Sequence, residues 1–151
     1  SLFEASACCA ALISTEDGEL IEAVRQYGHD IGIAFQIIDD VFDFTSDQTI
    51  LGKPVGSDLR QGLVTLPAIY FVEENPEDID ARALIDGKCY LAVDTLNRLV
   101  DKIRLSPAVD RALGDAGTYV ESALARLAKL PQCPARIHLQ ELTEYITRRS
   151  S

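Results

Sequence analysis

The chain has 151 residues, a length that suits one domain, and is 47% hydrophobic and 25% charged, an ordinary globular balance. Lys and Arg total 14 against 24 Asp and Glu, and the resulting net charge of −10 argues against a general nucleic-acid binder. No apolar run approaches the ~18 residues of a membrane span, and an anionic ligand would need metal ions or a local basic patch.

Ser1-Leu-Phe-Glu has no basic region and no cleavage pattern, so no signal peptide is expected. There is no methionine, even at position 1, which predicts a processed, truncated or cleaved start. The cysteines, Cys8, Cys9, Cys89 and Cys133, lack CxxC spacing and read as buried free thiols in a reducing cytoplasm.

Leu2 to Ile13 is rich in Ala and Leu and reads as a helix with no clear capping residue. Ser14 to Gly18 reads as a turn. From Glu19 to about Phe44 the pattern is helical. Leu20, Val24, Tyr27, Ile31, Ala34, Ile38 and Val41 recur at alternating intervals of four and three residues, one apolar stripe. At about 100° per residue, Gly28, His29, Gly32, Gln36, Asp39, Asp40, Asp43 and Asp47 form a second stripe roughly opposite the first. Ile33, Phe35, Ile37 and Phe42 occupy the flanks, where a surface helix would be polar. The helix is therefore expected to be buried on most sides, its polar stripe facing an internal cavity. Gly28 and Gly32 make room on that stripe for a ligand or a close neighbour, and His29 is expected to make a polar contact.

Beyond Thr45, Gly52-Lys53-Pro54-Val55-Gly56 reads as a loop, with Ser57 able to cap the next helix. Gly62 and Pro67 predict short helical pieces from Asp58 to Glu74. Asn75-Pro76-Glu77-Asp78 reads as a helix start with Asn75 as its cap. Cys89 to Ile103, Pro107 to about Leu130 and Ala135 to about Arg148 read as further helices. Glu73-Glu74 and Glu77-Asp78-Asp80 read as a solvated acidic connection, His138 as solvent-facing, and Arg148 and Arg149 as cations at a helix C-terminus. No segment alternates with a period of two, so the fold class is all-α, with six to eight helices.

Three carboxylates within five residues, Asp39, Asp40 and Asp43, are costly in an apolar run unless they neutralise or hold a cation, and the second is the reading adopted. Oxygen-only ligands suit Mg²⁺, which binds one or two carboxylates together with substrate phosphates. An EF-hand is excluded, because its ligands come from a loop. Lys53 is a point charge suited to a phosphate oxygen. Carboxylates, a metal and a lysine beside an apolar cavity imply a ligand with a diphosphate head and a hydrocarbon tail.

The segment GIAFQIIDDVFDFTSD, followed by LGKPVGSDLRQGLVTLP, resembles the second aspartate-rich region of the trans-type polyprenyl diphosphate synthases. The opening SLFEAS and the closing YVESALARLAKLP…ELTEYITRRS are similar to the C-terminal half of that family. The resemblance implies a helical bundle of the isoprenoid synthase type, here a single domain over residues 1–151. It also implies a Mg²⁺-dependent prenyltransferase that condenses an allylic diphosphate with isopentenyl diphosphate, with three Mg²⁺ ions in the complete enzyme and a homodimeric assembly. By the same resemblance Asp39 would be the main metal ligand, with Asp40 and Asp43 binding metal directly or through water. Lys53 would hold the allylic diphosphate, and Phe35 and Gln36 would line the cavity near the reacting carbons.

The family carries two aspartate-rich motifs, and one stands here. Leu63 occupies a position where some members have a lysine. The expectation is that this chain alone is inactive. The alternative is a non-catalytic half-length subunit of a heteromeric synthase. A terpene cyclase is disfavoured, because its second motif spreads Asn, Ser or Thr and Glu over a longer stretch than stands here.

Overall fold

The structure, a computed structural model, describes residues 1–46 and 54–148. The described residues are helical and contain no strand, as the absence of period-two alternation predicts. In chain order the helices are α1 (Leu2–Ser14), α2 (Gly18–Thr45), α3 (Ser57–Arg60), α4 (Leu66–Glu74) and α5 (Ile79–Ile85). A 3₁₀ turn (Cys89–Leu91) precedes α6 (Val93–Arg104), α7 (Ala108–Leu127) and α8 (Pro134–Arg148). No described helix is long and apolar enough to cross a membrane.

The chain divides into two compact units, the first comprising 1–38 with 115–151 and the second 39–114. Both divisions fall inside continuous helices, α2 and α7.

In the first unit α1 starts on a capping box. Ser1 Oγ accepts the Glu4 N–H at 3.2 Å, so Ser1 is the cap that the residue pattern alone did not reveal. α2 is capped by Asp17, whose Oδ1 accepts the N–H groups of Glu19 and Leu20 at 2.9 and 3.3 Å. The predicted apolar stripe is the buried one: Tyr27, Ile31, Ala34 and Ile38 are buried, and beyond the division so is Val41. Tyr27 Oη donates to the Leu139 carbonyl at 3.1 Å and lies 3.2 Å from Thr143 Oγ1, which ties α2 to α8.

Gly28 and Gly32 explain how α1 lies on α2. A Cβ on Gly28 would stand 2.6 Å from Ala7 Cβ and 2.7 Å from the Phe3 carbonyl oxygen. One on Gly32 would meet Ser1 Oγ at 2.9 Å and Phe3 Cβ at 3.1 Å. The space that the two glycines leave is taken by a neighbouring helix. Each glycine costs about 1 kcal/mol of helix propensity, offset by the close approach it permits.

The second unit has its own core of Phe44, Leu59, Ala68, Phe71, Leu84, Cys89, Leu96, Leu99, Val100 and Ile103. Burying a side chain such as Phe44, Leu99 or Ile103 contributes roughly 1.5–3 kcal/mol each. The expected break-up of 58–74 is present as α3, an irregular stretch, and α4 with Pro67 in its first turn.

Two cap expectations are corrected. Asn75 closes α4, donating from Nδ2 to the Phe71 carbonyl at 2.9 Å, and Asp78 opens α5 by accepting from the N–H groups of Asp80 and Ala81 at 2.8 and 3.1 Å. The Asp side chain reaches both orphan donors, whereas Asn75 lies a Pro-containing turn too early. Ser57 likewise is the first helical residue of α3 and not its cap, a role taken by Gly56 in the backbone.

Candidate functional site

Asp39, Asp40 and Asp43 lie on the last two turns of α2 and belong to the second unit. Asp39 is exposed and makes no hydrogen bond or ion pair to a described residue. Asp40 and Asp43 are half-buried. Gln36, one turn earlier on the same helix, is exposed, and Phe35 is half-buried with its ring 5.4 Å from that of Phe3. The expected enclosure of the polar stripe is corrected to this extent: at Gln36 and Asp39 the stripe is open, because no described residue covers it.

Asp43 is engaged differently from Asp39. Its Oδ1 accepts the Ser57 N–H at 3.0 Å and the Ser57 hydroxyl at 2.7 Å, and its Oδ2 accepts the Asp58 N–H at 3.0 Å. Its backbone carbonyl accepts the Gly56 N–H at 2.8 Å. Gly56 has φ of 69°, where a side chain is strained, and a Cβ there would stand 2.6 Å from Val100 Cγ2. The Gly56–Asp58 turn is thus fixed by Asp43 on one side and by the core on the other. Among the described residues no three Asp, Glu, His or Cys side chains come together as a metal cluster. Lys53 and Asp47 lie outside the described residues, as does Arg149.

The polyprenyl synthetase family matches residues 1–103. The chain belongs to that family. Component 2 of the Bacillus subtilis heptaprenyl diphosphate synthase is 34% identical over 98% of this chain and 42% of its own length. The chain therefore spans less than half the length of that relative.

Among solved structures, heptaprenyl diphosphate synthase from Staphylococcus aureus is 33% identical with a TM-score of 0.89, over 99% of this chain and 46% of that one. Polyprenyl synthase from Caulobacter crescentus CB15, complexed with calcium and isoprenyl diphosphate, is 30% identical with a TM-score of 0.83, over 99% of this chain and 46% of that one. The helical architecture read from the resemblance is the one these synthases share.

In this polyprenyl synthetase chain the second acidic group, read as a solvated connection, is exposed as expected at Glu73, Glu74 and Glu77 and is corrected at Asp78 and Asp80. Asp80 is 2% exposed, with Arg98 Nη2 at 2.9 Å and Lys102 Nζ at 2.8 Å; Lys102 also reaches Asp78 at 2.6 Å. The Arg98 hydrogen bond, opposed by burial and aided by Lys102, holds the Asp80 carboxyl below its ordinary pKa, and the Lys102 bond does the same for Asp78. Glu73 and Glu74 are held by Arg111, whose guanidinium lies 3.7 Å over the Tyr70 ring. These cations lie 18 to 38 residues along the chain from their acids, beyond any local pattern.

A buried carboxylate was also missed in the first unit: Asp30, 6% exposed, accepts the Ser122 hydroxyl at 2.7 Å and sits 3.1 Å from His29 Nδ1, which is the polar contact expected of that histidine. Of the four free cysteines only Cys89 is buried, with its thiol pKa pushed up by burial; Cys8 is half-buried and Cys9 and Cys133 are exposed. The expectation of buried thiols is therefore corrected at Cys9, on an exposed face of α1, and at Cys133, in the turn before α8. His138 is solvent-facing, as expected.

Proposed function

We propose that this chain supplies the metal and diphosphate jaw of a trans-polyprenyl diphosphate synthase. The observation that carries the reading is Asp39, an exposed carboxylate without a described partner, standing in the FQIIDDVFD run of a polyprenyl synthetase. Support comes from the Caulobacter relative, which binds a divalent cation together with an isoprenyl diphosphate.

Adjacent carboxylates on a helix end suit a hard cation that keeps several waters and accepts one or two protein oxygens. Asp39 and Asp40 would hold Mg²⁺, three ions serving the complete enzyme. When bound, Mg²⁺ would neutralise the departing diphosphate. Lys53 would hold a phosphate oxygen of the allylic diphosphate, and Phe35 and Gln36 would stand toward its hydrocarbon. Isopentenyl diphosphate is the proposed acceptor, and a longer trans-polyprenyl diphosphate the product.

The same reading carries the expectation of a homodimer, which Leu2, Leu12 and Ile13, exposed on α1, support. The free thiols support a reducing compartment such as the cytoplasm. With one aspartate-rich motif in its 151 residues, the chain alone is proposed to be inactive in prenyl transfer. The second reading, a non-catalytic subunit of a heteromeric synthase, is favoured by the name of the Bacillus relative, a component.

Calorimetric titration of inorganic diphosphate in the presence and absence of Mg²⁺ tests the proposal. Mg²⁺-dependent binding by wild type and its loss in Asp39→Asn are expected. Metal-independent binding, or equal binding by the variant, would reject the assignment. Prenyl transfer by the chain alone would reject the expectation of inactivity.

A further inference from the structure

Asp43 shares a helix end with Asp39 and Asp40, yet its carboxylate is already committed. Oδ1 accepts two bonds from Ser57, at 3.0 Å from N–H and 2.7 Å from the hydroxyl, and Oδ2 accepts one from Asp58 N–H at 3.0 Å. With the Gly56 N–H on the Asp43 carbonyl at 2.8 Å, three consecutive residues are bonded to this one. A carboxylate oxygen has about two lone-pair sites, so Oδ1 is saturated.

We propose that Asp43 is a positioning residue, a latch that fixes the Gly56–Arg60 turn to the end of α2, with Ser57 as its partner, and that Asp43 is not a metal ligand. The proposal rests on the reading above only where it contrasts Asp43 with Asp39.

Three observations converge on the latch. Ser57 is 7% exposed, so turning Asp43 toward a metal would leave a buried hydroxyl and two amide groups without their acceptor. Those amides open α3, where a negative charge is favourable. Gly56, in its left-handed conformation, sits against Val100, so the turn cannot follow Asp43 outward without leaving the core. The Asp-rich run thus divides by role: the first aspartate faces outward and the last ties the following turn to the helix.

The test uses the full chain with Asp43→Asn, Ser57→Ala, the double variant, and Asp39→Asn as control. Without metal, Asp43→Asn, which replaces one acceptor oxygen by an amide donor, and Ser57→Ala each speed amide hydrogen exchange over 57–61 by about five- to tenfold, the acceleration expected from losing a hydrogen bond. The double variant is less than additive, because the hydroxyl bond that Ser57→Ala removes is one of the three that Asp43 accepts. Asp39→Asn exchanges at the wild-type rate.

With Mn²⁺ as probe, followed by its electron paramagnetic resonance signal, Asp43→Asn retains binding and Asp39→Asn loses it. Wild-type exchange in Asp43→Asn, or full additivity in the double variant, overturns the latch. So does loss of Mn²⁺ in Asp43→Asn while Ser57→Ala keeps it. If the wild-type chain takes up no Mn²⁺, the reading of Asp39 fails, and the exchange measurements alone decide the latch.

Discussion

The second unit contains two acidic groups that look alike in sequence and differ in surroundings. Asp78 and Asp80 are met by Arg98 and Lys102, and Asp80 is buried. Asp39 stands exposed without a described partner. Acid density therefore does not separate a ligand site from a structural one. The separation comes from whether the protein itself supplies the counter-charge. A carboxylate already met by cations is part of the fold, and one left without them is available to a cation from solution.

The comparison can be broken most directly at Asp39. Asp39→Asn is expected to weaken Mg²⁺-dependent diphosphate binding about a hundredfold, since even indirect partners of metal ligands are worth about 10- to 100-fold. Its denaturation midpoint should match wild type. A clear loss of stability would place Asp39 with the structural acids.

The opposite profile is expected of Asp80→Asn. Losing the charge from a buried acceptor of two cationic donors should cost about 1.5–3 kcal/mol of stability by chemical denaturation. Diphosphate affinity should not change.

A Cβ added at Gly28 forces α1 off α2. Gly28→Ala gains about 1 kcal/mol of helix propensity and loses about 1–3 kcal/mol to overpacking. The net is a smaller destabilisation, read from the thermal midpoint; a stabilised variant would show that α1 moves freely.

The smallest effect is on pH dependence. Asp78 and Asp80 have carboxyl pKa values held below the ordinary 3.8. Their contribution is complete above about pH 4 and lost as pH falls through the lowered values, because the unfolded chain binds those protons first. Asp80→Asn should flatten that acid limb, and an unchanged limb would assign acid sensitivity to other groups.

What was legible in the residue pattern is what repeats with the helix. The apolar stripe from Leu20 to Val41 follows from a period of 3.6, and Tyr27, Ile31, Ala34 and Ile38 are buried where that period puts them. The family followed from a motif contiguous along α2 and the loop after it. What was illegible depends on partners brought in from elsewhere. Ser57 lies 14 residues from Asp43, and Lys102 lies 24 residues from Asp78. No local period encodes such pairings. Gly28 was legible as space, but the tenant of that space, α1, was fixed by a turn whose geometry the pattern does not carry.

Gly56 has a genetic consequence. Two constraints fall on the same atom: its φ of 69° disfavours any side chain, and a Cβ would also strike Val100. Asn tolerates the first constraint and still violates the second. Val100→Ala removes the methyl groups in the way and opens a void where Gly56 is native. That substitution should therefore harm the wild-type chain and relieve Gly56→Asn, a reversal of sign visible in the folding yield of the four combinations. A lineage could replace this glycine only by passing first through a loosened core.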